Sequence, residues 1–236
     1  ISQQRQMIIE KNKALVLMRP HVIGIELEMK KKKNLKVKKS QSNIKFIKNY
    51  TFEKYNILEG FYAGIAEIIP GTGYLDFHQN NLFALSSRGN LSYLNNFSDK
   101  TYFKQIRNNI DNFINIKQFN RSYKDGSHGK FSLKDLLIYK NKIFISYTEE
   151  IKDDCWNTSV IYGDMDYNYI EFKKIFSPKE CIHYKNNIDN EFEPVQSGGR
   201  MINFDENSIL LSVGDYRSRH LAQDIKSVNG KIIKVN

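Results

Sequence analysis

The sequence predicts an all-β chain, a β-propeller of four-stranded antiparallel blades with about three blades present and the ring incomplete. Three observations predict it. From about residue 44 onward, short runs rich in Phe, Tyr and Ile alternate with Asn, Asp, Gly and Lys turns, and no long 3.6-residue apolar stripe appears. A unit of strand, Asn-bearing turn, strand and Ser then recurs three times. It pairs Tyr74–Phe77 with Asn81–Ser86, Leu136–Tyr139 with Asn141–Ser146, and Met201–Phe204 with Asn207–Ser212. Asn suits such turns because it tolerates the left-handed backbone. Finally, the closing serines are 60 and then 66 residues apart. Closed propellers have about 4–8 blades, so roughly three repeats leave open edges. The start at Ile1 and the stop just after the strand-like Lys231–Val235 are read as marks of a piece of a longer protein.

Residues 1–43 form a separate, basic leader. Residues 1–50 carry 13 Lys/Arg against 3 Asp/Glu, which is the whole net charge of +10, and the rest of the chain is balanced. The sum of 28 Lys, 29 Ile and 25 Asn reflects A/T-rich codons, so the pI near 9.3 is weak evidence for a nucleic-acid partner, and none is expected. The run Ala14–Met18, interrupted by Arg19 and Pro20 before Val22–Ile25, is too short to span a bilayer. With Lys30–Lys33 behind it, it reads either as a partial signal or anchor segment that could tether the protein to a membrane, or as a disordered leader.

Between and beyond the hairpins, further strands are expected at Asn90–Leu94, Ser159–Tyr162, Tyr169–Phe172 and Gly230–Val235. Apolar residues at 103, 106, 110, 113, 114 and 116 loosely fit a helix or an irregular loop over Tyr102–Phe119. Cys155 and Cys181 form no metal-binding pattern; they are either a disulfide, suited to an extracytoplasmic protein, or two buried thiols. Glu149-Glu150 with Asp153-Asp154, and Asp164 with Asp166, read as solvated loops. Trp156 reads as a packing residue, and no glycine cluster forms a phosphate loop.

Residues 196–235 carry several fixed pieces in order: Gly198-Gly199-Arg200, Gly214-Asp215, Ala222-Gln223-Asp224 and Gly230-Lys231-Ile232. This segment resembles a blade of the soluble quinoprotein glucose dehydrogenase and glucose/sorbosone dehydrogenase family, and Leu136–Thr148 resembles its earlier hairpin more weakly. The resemblance implies a six-bladed propeller outside the cytoplasm, periplasmic in a bacterium, that binds pyrroloquinoline quinone (PQQ) with calcium and oxidises a sugar hydroxyl by net hydride transfer. The cofactor would supply the redox chemistry and the protein a base, orientation and electrostatics.

Carried over residue by residue, the resemblance places the general-base His of the family at Gln196, whose amide cannot accept a proton usefully near neutral pH. Asp215 matches the family's Gly-Asp and would hold a loop or sit in the channel. Arg217 and His220 fall where cofactor contacts are expected. Arg219 flanks His220, and Lys130 loosely occupies the place of a Gln or Glu in the earlier blade. His183 reads as a surface residue. The calcium ligands of the family would lie beyond Asn236. The expectation is therefore a quinone-dependent sugar dehydrogenase-like propeller whose base position is unsuited to catalysis. The alternative is a propeller that binds a carbohydrate or protein partner without redox chemistry.

Overall fold

The computed structural model describes residues 73–86, 89–95, 102–114, 133–185 and 187–236 in full, and the backbone alone of four strands upstream. Those four are β1 (Asn34–Lys39), β2 (Lys45–Ile47), β3 (Tyr50–Phe52) and β4 (Tyr55–Ile57). The first sheet runs β4-β1-β8-β7-β6-β5, with β5 (Gly73–His78), β6 (Asn81–Ser86), β7 (Leu91–Leu94) and β8 (Tyr102–Asn108). The second contains β9 (Leu133–Tyr139), β10 (Lys142–Lys152), β11 (Cys155–Asp164) and β13 (Lys173–Phe176), with β14 (Ile182–His183) on β11. The third is β15 (Gly198–Asp205), β16 (Ser208–Val213) and β17 (Lys231–Val235). The two-residue β12 (Tyr169–Ile170) runs parallel to β8 and ties the loop after β11 back to the first sheet.

All three repeated units fold as antiparallel hairpins with the expected strands: β5 with β6, β9 with β10, and β15 with β16. The left-handed residue is Gln79 in the first turn and Lys140 in the second, each one place before an Asn rather than the Asn itself, and the third turn has no positive φ. Within Tyr102–Phe119, read as a helix or irregular loop, residues 115–119 lie outside the described residues and the rest is not a regular helix. Tyr102–Asn108 is the strand β8, followed by one 3-10 turn at Ile110–Asn112. Phe103 and Ile106 are both buried, in clusters on opposite faces of the sheet. Burial on two faces imitates the three-residue spacing of a helix.

Successive sheets pack face to face. Between the first and second lie Phe83, Leu85, Leu91, Ile106, Leu136, Ile143, Ile145 and Ile161. Between the second and third lie Phe144, Val160, Met201, Ile209, Leu211 and Val213. Each such side chain contributes roughly 1.5–3 kcal/mol when fully buried. The first strands β5, β9 and β15 are neighbours, the arrangement of inner strands around a propeller axis, and polar groups stitch them together. The Tyr74 hydroxyl donates to Leu133 O (3.0 Å), and the Ile138 N–H donates to the Asp76 carboxylate. Asp135 on β9 accepts from Arg200 Nη1 (2.8 Å) and Met201 N (2.7 Å) on β15. The chain is thus an all-β, partial propeller.

Cys155 and Cys181 are joined in a disulfide with Cα atoms 5.3 Å apart, clamping the start of β11 to the segment before β14. Trp156 beside it is buried, in the packing role read from the sequence. Glu149, one of the clustered acids, accepts from Ser159 and Ser177 and pairs with Lys174. Asp164 pairs with Lys142 (2.7 Å), and Asp166 caps the backbone of Asn168 and Tyr169.

Candidate functional site

The fixed pieces of residues 196–235 come together at one end of the third sheet. A 3-10 turn, Pro194–Ser197, leads into β15, and the Glu193 carboxylate accepts from Val195 N at its start. The turn lies across the segment that leaves β16. Gly214 N donates to Ser197 O (2.8 Å), Tyr216 N to Gln196 O (3.4 Å), and Glu193 N to Tyr216 O (3.0 Å). Gly214 is required by this approach, since a Cβ there would lie 1.8 Å from Gln196 O. The later glycine of the motif, Gly230, leaves room for Ala222 in the short helix Arg219–Gln223, whose last carbonyls accept from Lys231 Nζ.

Under the turn runs a buried polar network. Thr158 Oγ1 donates to Ser197 O (2.6 Å) and lies 2.9 Å from the Tyr216 hydroxyl. Asn157 bridges Glu180 O and Asn229, and Asn229 donates to Gly214 O (3.0 Å). The Glu180 carboxylate accepts from Ser227 and Val228 N. Groups this deeply buried are costly unless partnered, so the network fixes the turn's position against β11. The ring of Tyr216 stacks on Phe192, and burial holds its phenol well above the ordinary range.

Gln196 sits exposed on the turn. Asp215 is half-buried, and its carboxylate accepts from Arg217 N (3.0 Å). That bond closes a turn in which Tyr216 and Arg217 both have positive φ, at 53° and 74°. Asp215 therefore has a loop-holding role. Arg217 and Arg219 are exposed and converge on Glu191, at 3.7 and 3.3 Å. His220 is exposed, with Nδ1 2.7 Å from Asp189. Lys130 lies outside the described residues. His183 is exposed on β14, as the sequence reading has it.

Sequence reasoning passed over Lys134. It is the extra residue of a β-bulge: Ser146 pairs with Asp135 and Tyr147 with Leu133, which leaves Lys134 unmatched on β9. Its stem fills the space beside Gly199, where a Cβ would lie 2.4 Å from the lysine Cβ. Its Nζ donates to Pro194 O (3.2 Å), inside the turn that carries Gln196. Burial pushes the amine down to about 7, with Glu193 opposing the shift. The overlooked signal was a Lys-Asp pair in an otherwise apolar strand, Leu133–Tyr139.

Compared with known proteins, residues 115–236 match the family described as glucose/sorbosone dehydrogenase. The chain belongs to that family. Its fold is similar to that of a solved glucose dehydrogenase, with a TM-score of 0.50 and 18% identity over 69% of this chain and 46% of the other. It is equally similar to the soluble aldose sugar dehydrogenase from Escherichia coli in the apo form, with a TM-score of 0.50 and 18% identity over 68% and 42%. The chain thus spans less than half the length of these relatives. No curated protein matches it significantly.

The cofactor that the family resemblance implies fits the described residues in part. Arg217 and Arg219 present forked cations to solvent, and an exposed pair with Glu191 is weak enough for an anionic quinone carboxylate to displace. Among the described residues no three His, Cys, Asp or Glu side chains gather to hold calcium.

Proposed function

We propose that this protein oxidises a sugar or related alcohol, with the substrate bound at the turn end of the third sheet and the electrons taken by PQQ. The observation that carries this reading is the assembly of Gly198–Arg200, Gly214–Asp215 and Ala222–Gln223 into one strand–turn–helix corner, held by close glycine contacts. A bound quinone supplies the two-electron acceptor; the protein's part is to hold and orient the alcohol and to receive its proton. Arg217, Arg219 and His220 would meet the anionic side of the cofactor, and calcium would need ligands beyond those described. The disulfide supports a place outside the cytoplasm, such as the periplasm, and within the basic leader of residues 1–43 the part upstream of β1, which pairs with β8, would serve as the tether to the membrane surface.

A second reading is a propeller that binds a sugar without oxidising it. An amide at the base position, Gln196, favours it. Titration of the protein with PQQ and calcium separates the two. Bleaching of the oxidised cofactor on adding aldoses supports oxidation. Aldose binding without any spectral change supports the second reading, and the absence of both bleaching and binding would count against each.

A further inference from the structure

We propose that the amine of Lys134 is the proton acceptor of this site, filling the role that the amide of Gln196 cannot. The inference rests on the oxidation reading above and adds the residue that would make it workable. Three features of the structure place the amine there. The bulge in β9 turns Lys134 out of the alternation that buries Leu133 and Leu136. Gly199, with φ of 104°, leaves the lysine stem a path across β15 that any side chain would block. The stem ends with Nζ 3.2 Å from Pro194 O, two residues before the position where the family's base is expected.

Several charged and polar groups lie near Lys134 among the described residues. Glu193 faces it from the turn. Asp135, the next residue on β9, is paired with Arg200 of β15. β10 contributes the uncharged Ser146, which donates to Gly199 O. Desolvation lowers the amine to about 7, so a substantial neutral fraction is present near neutral pH, as a general base requires.

In the step assigned to it, an alcohol carbon loses its hydrogen as hydride to a quinone-class oxidant while the hydroxyl proton passes to Nζ. The C–O bond becomes a carbonyl, the amine becomes an ammonium, and the two electrons reside on the oxidant. The charge of Lys134 then rises by one as the proton arrives, beside the carboxylate of Glu193.

The test uses the 236-residue protein supplemented with PQQ and calcium, an aldose panel, and the variants K134M, Q196H and K134M/Q196H. The wild type is expected to oxidise at least one aldose with a rate that rises through a midpoint near pH 7. K134M should lose about 100-fold or more together with that limb, and K134M/Q196H should regain activity because a histidine again occupies the base position. Lysine-labelled NMR should show one amine, absent in K134M, titrating near neutrality. The proposal is overturned if K134M keeps the rate and the pH limb, or if Lys134 titrates near 10. Oxidation by Q196H but not by the wild type would sink the Lys134 role and leave the oxidation reading standing. If no variant oxidises any aldose, the NMR titration decides the Lys134 role by itself, and an amine titrating near the ordinary lysine value overturns it.

Discussion

Replacing Lys134 by Met should stabilise the protein at pH 6 by about 3–4 kcal/mol, and by less than half of that at pH 9. The lysine amine titrates near 7 in the folded chain against an ordinary value of 10.5. Between those values the unfolded chain holds a proton that the native chain does not, so native stability rises with pH from about 7 to 10.5. Below pH 7 both states are protonated and the native state carries the whole cost of burying an ammonium. A shift of that size in a fully desolvated site corresponds to about 4–5 kcal/mol. Loss of the bond to Pro194 O offsets about 1 kcal/mol of this. Met preserves most of the stem volume beside Gly199 and carries no charge. Urea unfolding at pH 6, 7.5 and 9, followed by the fluorescence of the single tryptophan Trp156, measures the difference. A K134M variant less stable than the wild type at pH 6, or a gap that does not change with pH, would refute the argument that burial depresses this amine.

Three further outcomes are expected. Reducing the Cys155–Cys181 bridge, which closes a loop of 26 residues, should cost about 3 kcal/mol, seen as a lower urea midpoint in the presence of a phosphine reductant; an unchanged midpoint would contradict it. Gly214→Ala drives a methyl into Gln196 O and should cost about 3 kcal/mol or more, with thermal unfolding as the readout, whereas substitution of the exposed Gln223 should be close to neutral. Asp135→Ala strips the partner from Met201 N and leaves Arg200 unpaired, at a cost of about 2–4 kcal/mol. Asp135→Asn retains one acceptor for Met201 N and should lose less than half as much.

The hairpins were legible because each uses local chemistry: an Asn-bearing turn between two apolar runs, closed by a serine. β8 was not, because its apolar residues serve two cores. Phe103 goes to one face and Ile106 to the other, and a single-face pattern search reads such spacing as helical. At the site, the motif located the corner but not the work done in it. The role of Asp215 depends on the left-handed backbone of Tyr216 and Arg217, which nothing in the residue types announces. The links from Asp135 to Arg200 and from Lys134 to Pro194 span 65 and 60 residues. They exist only because β9 and β15 lie side by side around the axis. The pairing of Arg217 and Arg219 with Glu191, and of His220 with Asp189, is likewise a product of the fold.

The placement of a sugar site at the turn end of the third sheet is tested most directly by hydrogen–deuterium exchange of the protein with and without a saturating aldose. Slowed exchange is predicted at residues 193–200 and 214–223, where the backbone of the corner would be covered. The opposite end of the same sheets, at Lys140–Lys142 and Glu206–Ser208, should be unchanged. Protection at those hairpin tips with none at the corner would contradict the account.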